Sequence, residues 1–175
     1  WDSIKSKRKK TPSEELDVPE ENSTPGCRAE ILASKPFKVA PDATERFYFQ
    51  GFKSSPPELS DTLAADTLFE AYFHLPSDAI LATQKDIEAM LEKEKMDDIL
   101  DCQSDDCMGG IGDSIGAAFI ISAHINQLAD QRLLSARLIS SAKSQAIAKT
   151  VIEYTNDTCL KRAVYLAATS LLHIE

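Results

Sequence analysis

The sequence has no run of about 18 consecutive apolar residues, so no segment is expected to cross a membrane as a helix, and the chain reads as soluble or peripheral. It also lacks an excess of positive charge. Lys and Arg number 19 against 28 Asp and Glu, a net charge of -9. Nucleic acid is therefore not an expected partner, because a phosphate-binding surface needs a basic patch. The one basic run, Lys5 to Lys10, is soon followed by Glu14, Glu15, Asp17, Glu20 and Glu21. Through Cys27 there are five basic and six acidic residues, which leaves 14 basic against 22 acidic, or -8, beyond it. Aromatics are scarce at 7%. An initiator Met and the charged-then-apolar pattern of a signal peptide are also missing, as expected of a processed or trimmed chain.

What is present suffices for a core. With 43% hydrophobic residues over 175, the chain can fold as one domain without a structural metal. Residues 1 to 27 are rich in Lys, Glu, Ser and Pro without apolar periodicity and read as a low-complexity tail; residues 28 to 175 read as a single α/β domain. Between Arg28 and Pro41 the apolar pieces Ile31-Leu32 and Phe37-Val39 suit one edge strand. Glu45 to Phe52, ERFYFQGF, is the first core strand by its aromatic content.

Ser60 is a good N-cap for a helix whose apolar face is Leu63, Ala64, Thr67, Leu68, Ala71 and Tyr72. Ala79 to Thr83 reads as a short strand. Thr83 with Asp86 makes a capping-box start for a helix carrying Ile87, Met90 and Leu91. Asp105 can cap a short helix with Cys107, Ile111 and Ile115 on one side, closed by Gly116. Then Ala117–Gln127, Arg132–Ser140 and Gln145–Tyr154 alternate as three strands of an antiparallel meander, one face more buried than the other. A last helix, capped by Asn156 or Asp157, carries the stripe Leu160, Ala163, Val164, Ala167 and Leu171. The fold class is α/β (α+β): a mixed sheet with a carboxyl-terminal three-strand meander and helices packed on it.

No constellation makes a convincing active site. His74, His124 and His173 fall on separate elements, and no G-x-S-x-G surrounds any Ser. Gly109, Gly110 and Gly112 lack the Gly-Lys-Ser/Thr of a phosphate loop and stand among Asp105, Asp106 and Asp113, so close packing is their simpler explanation. Asp97, Asp98, Asp101, Asp105 and Asp106 lack EF-hand spacing and read as a solvated turn. No catalytic residue, cofactor or metal ligand is expected.

Cys102 and Cys107 bracket a polar turn, and a disulfide is the favoured reading, with ordinary buried thiols as the alternative. A metal site would need more ligands than this pair provides. Cys27 and Cys159 stay unassigned.

The order of elements resembles the TolB amino-terminal and CsgG-like domains of bacterial envelopes, also seen in flagellar ring proteins such as FlgT. The stretches LATQKDIEAMLEKEK, DCQSDDCMGGIGDSIGAAFIISAHI and LLSARLISSAKSQAIA carry the likeness, which covers about residues 59–172. Its most specific parts are the Gly116-Ala117 step and the LLSARLIS strand. The resemblance implies a periplasmic, non-catalytic module of a secretion, Tol-type or flagellar assembly. It would bind other envelope proteins or copies of itself, with peripheral association to the outer membrane compatible. A soluble domain that senses a small molecule is the alternative. A large apolar pocket with converging polar groups would favour the alternative, and an exposed apolar patch the partner-binding reading.

Overall fold

The computed structural model describes residues 26–57, 62–91 and 93–175. Three strands come first: β1 (Ala29–Lys35), β2 (Phe37–Val39) and β3 (Arg46–Ser55). Helix α1 (Thr62–Tyr72) leads to β4 (Ile80–Thr83) and then to α2 (Gln84–Glu88), α3 (Lys93–Asp101) and α4 (Asp105–Ile115). The meander β5 (Phe119–Leu128), β6 (Gln131–Ser140) and β7 (Gln145–Tyr154) follows. A 3-10 turn (Asp157–Cys159), α5 (Leu160–Leu171) and β8 (Leu172–Ile174) end the chain.

Six strands form one mixed sheet in the order β1-β7-β6-β5-β3-β4. β3 runs parallel to both β4 and β5, while β5, β6, β7 and β1 pair antiparallel. Such mixed sheets need cover on both faces near their parallel strands, and the alternation of β3 supplies it. Phe47, Phe49 and Phe52 point to one side with Ile121, Ile125, Leu134 and Leu138, under α1 and α5. Tyr48, Ile120 and Ile139 point to the other, under α2, α3 and α4. The first face is the larger core. On the second, burial along β5 fades from Ile120 and Ser122 through His124 to exposed Asn126.

The final helix follows its pattern: Leu160, Ala163, Val164, Ala167 and Leu171 are all buried. Gly116 ends α4 in the left-handed region at φ 69°, and the Thr83–Asp86 capping box starts α2, with the Asp86 carboxylate accepting the Thr83 N–H at 2.7 Å. Ser60 lies outside the described residues.

Six expectations need correction. Neither Asn156 nor Asp157 caps the last helix: the Asn156 amide oxygen accepts the Thr158 hydroxyl, Asp157 pairs with Arg132, and α5 begins at Leu160 after the 3-10 turn. The buried face of α1 is Ala65, Phe69 and Tyr72, and Leu63 is 65% exposed. Phe69 decides the rotation: it stacks on Phe49 at 4.6 Å and on Phe73 at 5.1 Å, and an aromatic ring buries more area than the aliphatic stripe would. The single edge strand is two strands, because β2 leaves the main sheet to pair parallel with β8. The helix after Thr83 stops at Glu88, leaving Met90 exposed, and α3 is a separate element. The N-cap of α4 is Ser104, whose hydroxyl accepts the Cys107 N–H at 3.2 Å, in place of Asp105. Its buried side is Met108, Gly109 and Gly112, while Cys107 is exposed.

That last shift has a packing cause. A Cβ on Gly112 would collide with the Ser141 hydroxyl and lie 3.0 Å from the Ala117 carbonyl oxygen, and one on Gly109 would sit 3.0 Å from the Ser144 Cα. The two glycines let α4 lie directly on the β6–β7 turn, which turns Cys107 outward.

Candidate functional site

The cysteine turn joins α3 to α4. Cys102 is buried, Cys107 is exposed, their Cα atoms are 5.8 Å apart, and their sulfurs are at bonding distance. Asp105 fastens this turn to the sheet. Its carboxylate takes the Arg137 guanidinium at 2.8 Å and the Ala146 N–H at 3.0 Å, while it adds negative charge to the positive end of the α4 dipole. A second pair went unseen in the sequence: Cys27 and Cys159 lie with Cα atoms 5.2 Å apart across 132 residues. Nothing local marks such a pairing, since the two cysteines meet only once β1 has docked on β7.

The three histidines do not converge. His74 is exposed beside the Tyr72 carbonyl, at 2.6 Å from Nδ1, and His173 is exposed on β8. His124 on β5 is half-buried, with Nε2 3.3 Å from the Ser122 hydroxyl. Among the described residues no carboxylate orients the His124 ring as a triad would need. Burial lowers the His124 pKa first, and the cations Arg137 and Lys53 lower it further. Among the described residues no three His, Cys, Asp or Glu side chains are placed to hold a metal ion. No helix among them is long and apolar enough to cross a membrane.

A crevice opens at the carboxyl end of β4, beside Phe49 and Gly51 in the middle of β3. Helix α1, which follows β3, packs on one face and α2, which follows β4, on the other, the arrangement of a topological switch point, where open α/β sheets bind ligands. Its volume is about 220 Å³, and Asp66, Glu70, Lys85 and Glu88 line it. The β3 bulge shapes it: pairing with β5 slips between Phe49 and Phe52, and Gly51 adopts φ 88°. The Phe52 N–H donates to Asp66 at 2.6 Å. A Cβ on Gly51 would approach the same carboxylate at 3.3 Å. Burial pushes Asp66 up to about 6, partly opposed by the Phe52 hydrogen bond. Sequence reasoning missed Asp66; a glycine inside the β3 pattern was the available signal for a bulge.

Among the described residues two further surfaces carry exposed apolar side chains together. Along β1, six of seven residues are exposed, including Ile31 at 45% and Leu32 at 51%. Between α3 and α4 lies a groove of about 470 Å³ floored by Leu91, Ile99, Ile111 and Ile115.

The chain matches no protein family profile and no curated protein sequence. Among solved structures it is similar to the LpoB C-terminal domain from Escherichia coli, at 8% identity over 65% of this chain and 84% of that one, with a TM-score of 0.49. It is also similar to a PelC dodecamer from Paraburkholderia phytofirmans, at 8% identity over 82% of this chain and 98% of that one, TM-score 0.49. TolB from Acinetobacter baumannii matches at 14% identity over 82% of this chain and 30% of that one, TM-score 0.46. With identities and scores this low, none of these likenesses carries a functional argument.

Proposed function

We propose that the chain is a non-catalytic interaction module of a bacterial envelope assembly, acting in the periplasm on other envelope proteins or on copies of itself. The observation that carries this reading is the outer strand β1. Ile31 and Leu32 form an exposed aliphatic pair at the sheet edge, flanked by Glu30 and Lys35, an apolar centre with a charged rim. Pairing with β7 slips at Leu32, between Ile31 and Ala33. A bulge of this kind discourages addition of a further strand, so recognition falls on side chains more than on backbone.

Two cysteine pairs at bridging separation support an oxidising compartment. The resemblance to TolB amino-terminal and CsgG-like domains supplies the setting: a secretion, Tol-type or flagellar ring assembly, with peripheral attachment to the outer membrane compatible. The scattered histidines, with burial and then the cations Arg137 and Lys53 lowering the His124 pKa, support a role without chemistry. The runner-up, a small-molecule sensor, draws on the switch-point crevice. At about 220 Å³ it is smaller than the roughly 300 to 1,000 Å³ of common ligand sites and is lined by charge.

The test is co-isolation of the tagged chain from envelope fractions, comparing the unaltered protein with Leu32→Lys. The reading expects a defined partner, or a second copy, that the variant loses while its circular dichroism is unchanged. Equal recovery of the partner with both proteins would remove β1 as the docking surface.

A further inference from the structure

The groove between α3 and α4 is separate from β1 and its chemistry specifies an occupant. Ile99 on its floor is buried, while Leu91, Ile111 and Ile115 are partly exposed. Asp98 lines the groove, and the two helices that form it carry seven carboxylates and two lysines in sequence; Asp105 is taken by Arg137, while Asp97, Asp98, Asp106 and Asp113 are exposed. An occupant that fits offers apolar side chains to the floor and cations to these acidic helices.

The chain contains one segment of that description. Its first ten residues, WDSIKSKRKK, place Trp1 and Ile4 three apart, a spacing that puts two side chains on one side of a helical turn. Five cations follow, Lys5, Lys7, Arg8, Lys9 and Lys10, against the single acid Asp2. The groove-bearing helices and this segment are thus opposite in net charge, and each carries apolar side chains beside its charges. The tether also reaches. The 15 residues between Lys10 and Gly26 can extend roughly 50 Å, at about 3.3 to 3.6 Å each, against a domain roughly 40 Å across. Tethering of this kind holds a segment at an effective concentration on the order of millimolar, so a weak intrinsic affinity is enough.

We propose that the groove between α3 and α4 is the docking site of the chain's own segment Trp1–Lys10, with Trp1 and Ile4 on the apolar floor and the cations against the carboxylates of α3 and α4. The contact occupies a surface that a basic, apolar-anchored partner would otherwise take.

Trp1 is the single tryptophan of the chain, so its fluorescence reports the contact alone. The experiment compares emission and acrylamide quenching of the full chain with those of the free peptide Trp1–Lys10. Docking predicts emission at shorter wavelength and a quenching constant several-fold lower in the full chain. Ile111→Arg returns both to the peptide values. So does the double reversal Lys9→Glu with Lys10→Glu, which alters no described residue and keeps the test valid should the Ile111 variant misfold. Leu128→Arg, at the exposed end of β5, leaves both unchanged. Peptide-like values in the unaltered chain would overturn the proposal, as would a shielded Trp1 that ignores both Ile111→Arg and the charge reversal. A signal that strengthens with protein concentration would assign the segment to a second copy and overturn docking within one chain.

Discussion

The Arg137 guanidinium on β6 meets the Asp105 carboxylate at the start of α4 at 2.8 Å, and the same carboxylate accepts the Ala146 N–H from β7. One acidic side chain thereby ties the cysteine turn to two strands. Both partners are about one-third exposed, so solvent screens much of the attraction. Asp105→Ala is expected to cost about 1 to 2 kcal/mol in urea unfolding, and a double-mutant cycle with Arg137→Ala to show a coupling of about 1 kcal/mol. Additive single effects would mean that the pair contributes nothing of its own.

Leu138 on β6 is fully buried in the larger core with Ile121 and Leu134. Leu138→Ala is expected to lower stability by roughly 2 to 5 kcal/mol, the range for a buried leucine that leaves a cavity. A loss below about 1 kcal/mol in denaturant unfolding would contradict this packing.

Much of this arrangement was legible because it repeats at a fixed period. β6 and β7 fall within a residue of their sequence patterns, and every residue of the α5 stripe is buried. Illegible features depend on what a residue meets after folding. The rotation of α1 is set by Phe49 reaching Phe69, and the outward turn of Cys107 by Gly109 and Gly112 lying against Ser144 and Ser141. β2 and β8 pair over only three residues each, too few for a period to show. At the candidate surfaces the same division holds. Ile31 and Leu32 were visible as an apolar pair at an edge, whereas the Leu32 bulge and the Asp66 contact with Phe52 arise from pairing between distant segments.

Asp66 gives a pH dependence with a defined sign. Its carboxyl group is raised from 3.8 to about 6, chiefly by burial. Between about pH 4 and 6 the folded protein therefore holds this proton more tightly than the unfolded chain does. Stability from this group is full below that window, falls as pH rises through it, and is level above. Asp66→Asn keeps an oxygen to accept the Phe52 N–H and removes the titration. Relative to the unaltered protein, the variant is expected to gain stability as pH rises from about 4 to about 7, read from urea midpoints. Parallel pH profiles would place the titration elsewhere.

The cysteines are expected as two disulfides in freshly isolated protein, Cys102 with Cys107 and Cys27 with Cys159. Mass spectrometry after alkylation without reductant should find all four thiols blocked. On the chain-entropy account the bridge across 132 residues contributes about 5 kcal/mol and the five-residue bridge about 2, so Cys27→Ser should lower the unfolding midpoint more than Cys102→Ser. Fully alkylated cysteines in the native protein would contradict the oxidising compartment.

The central claim, docking of an envelope partner at β1, is tested most directly by a photo-crosslinking amino acid placed at Leu32, with Asp130 in the exposed β5–β6 turn as the control site. The account predicts a discrete crosslinked species from Leu32, either a single envelope protein or a second copy of this chain, and none from Asp130. No crosslink at Leu32, or the same species from both positions, would contradict it.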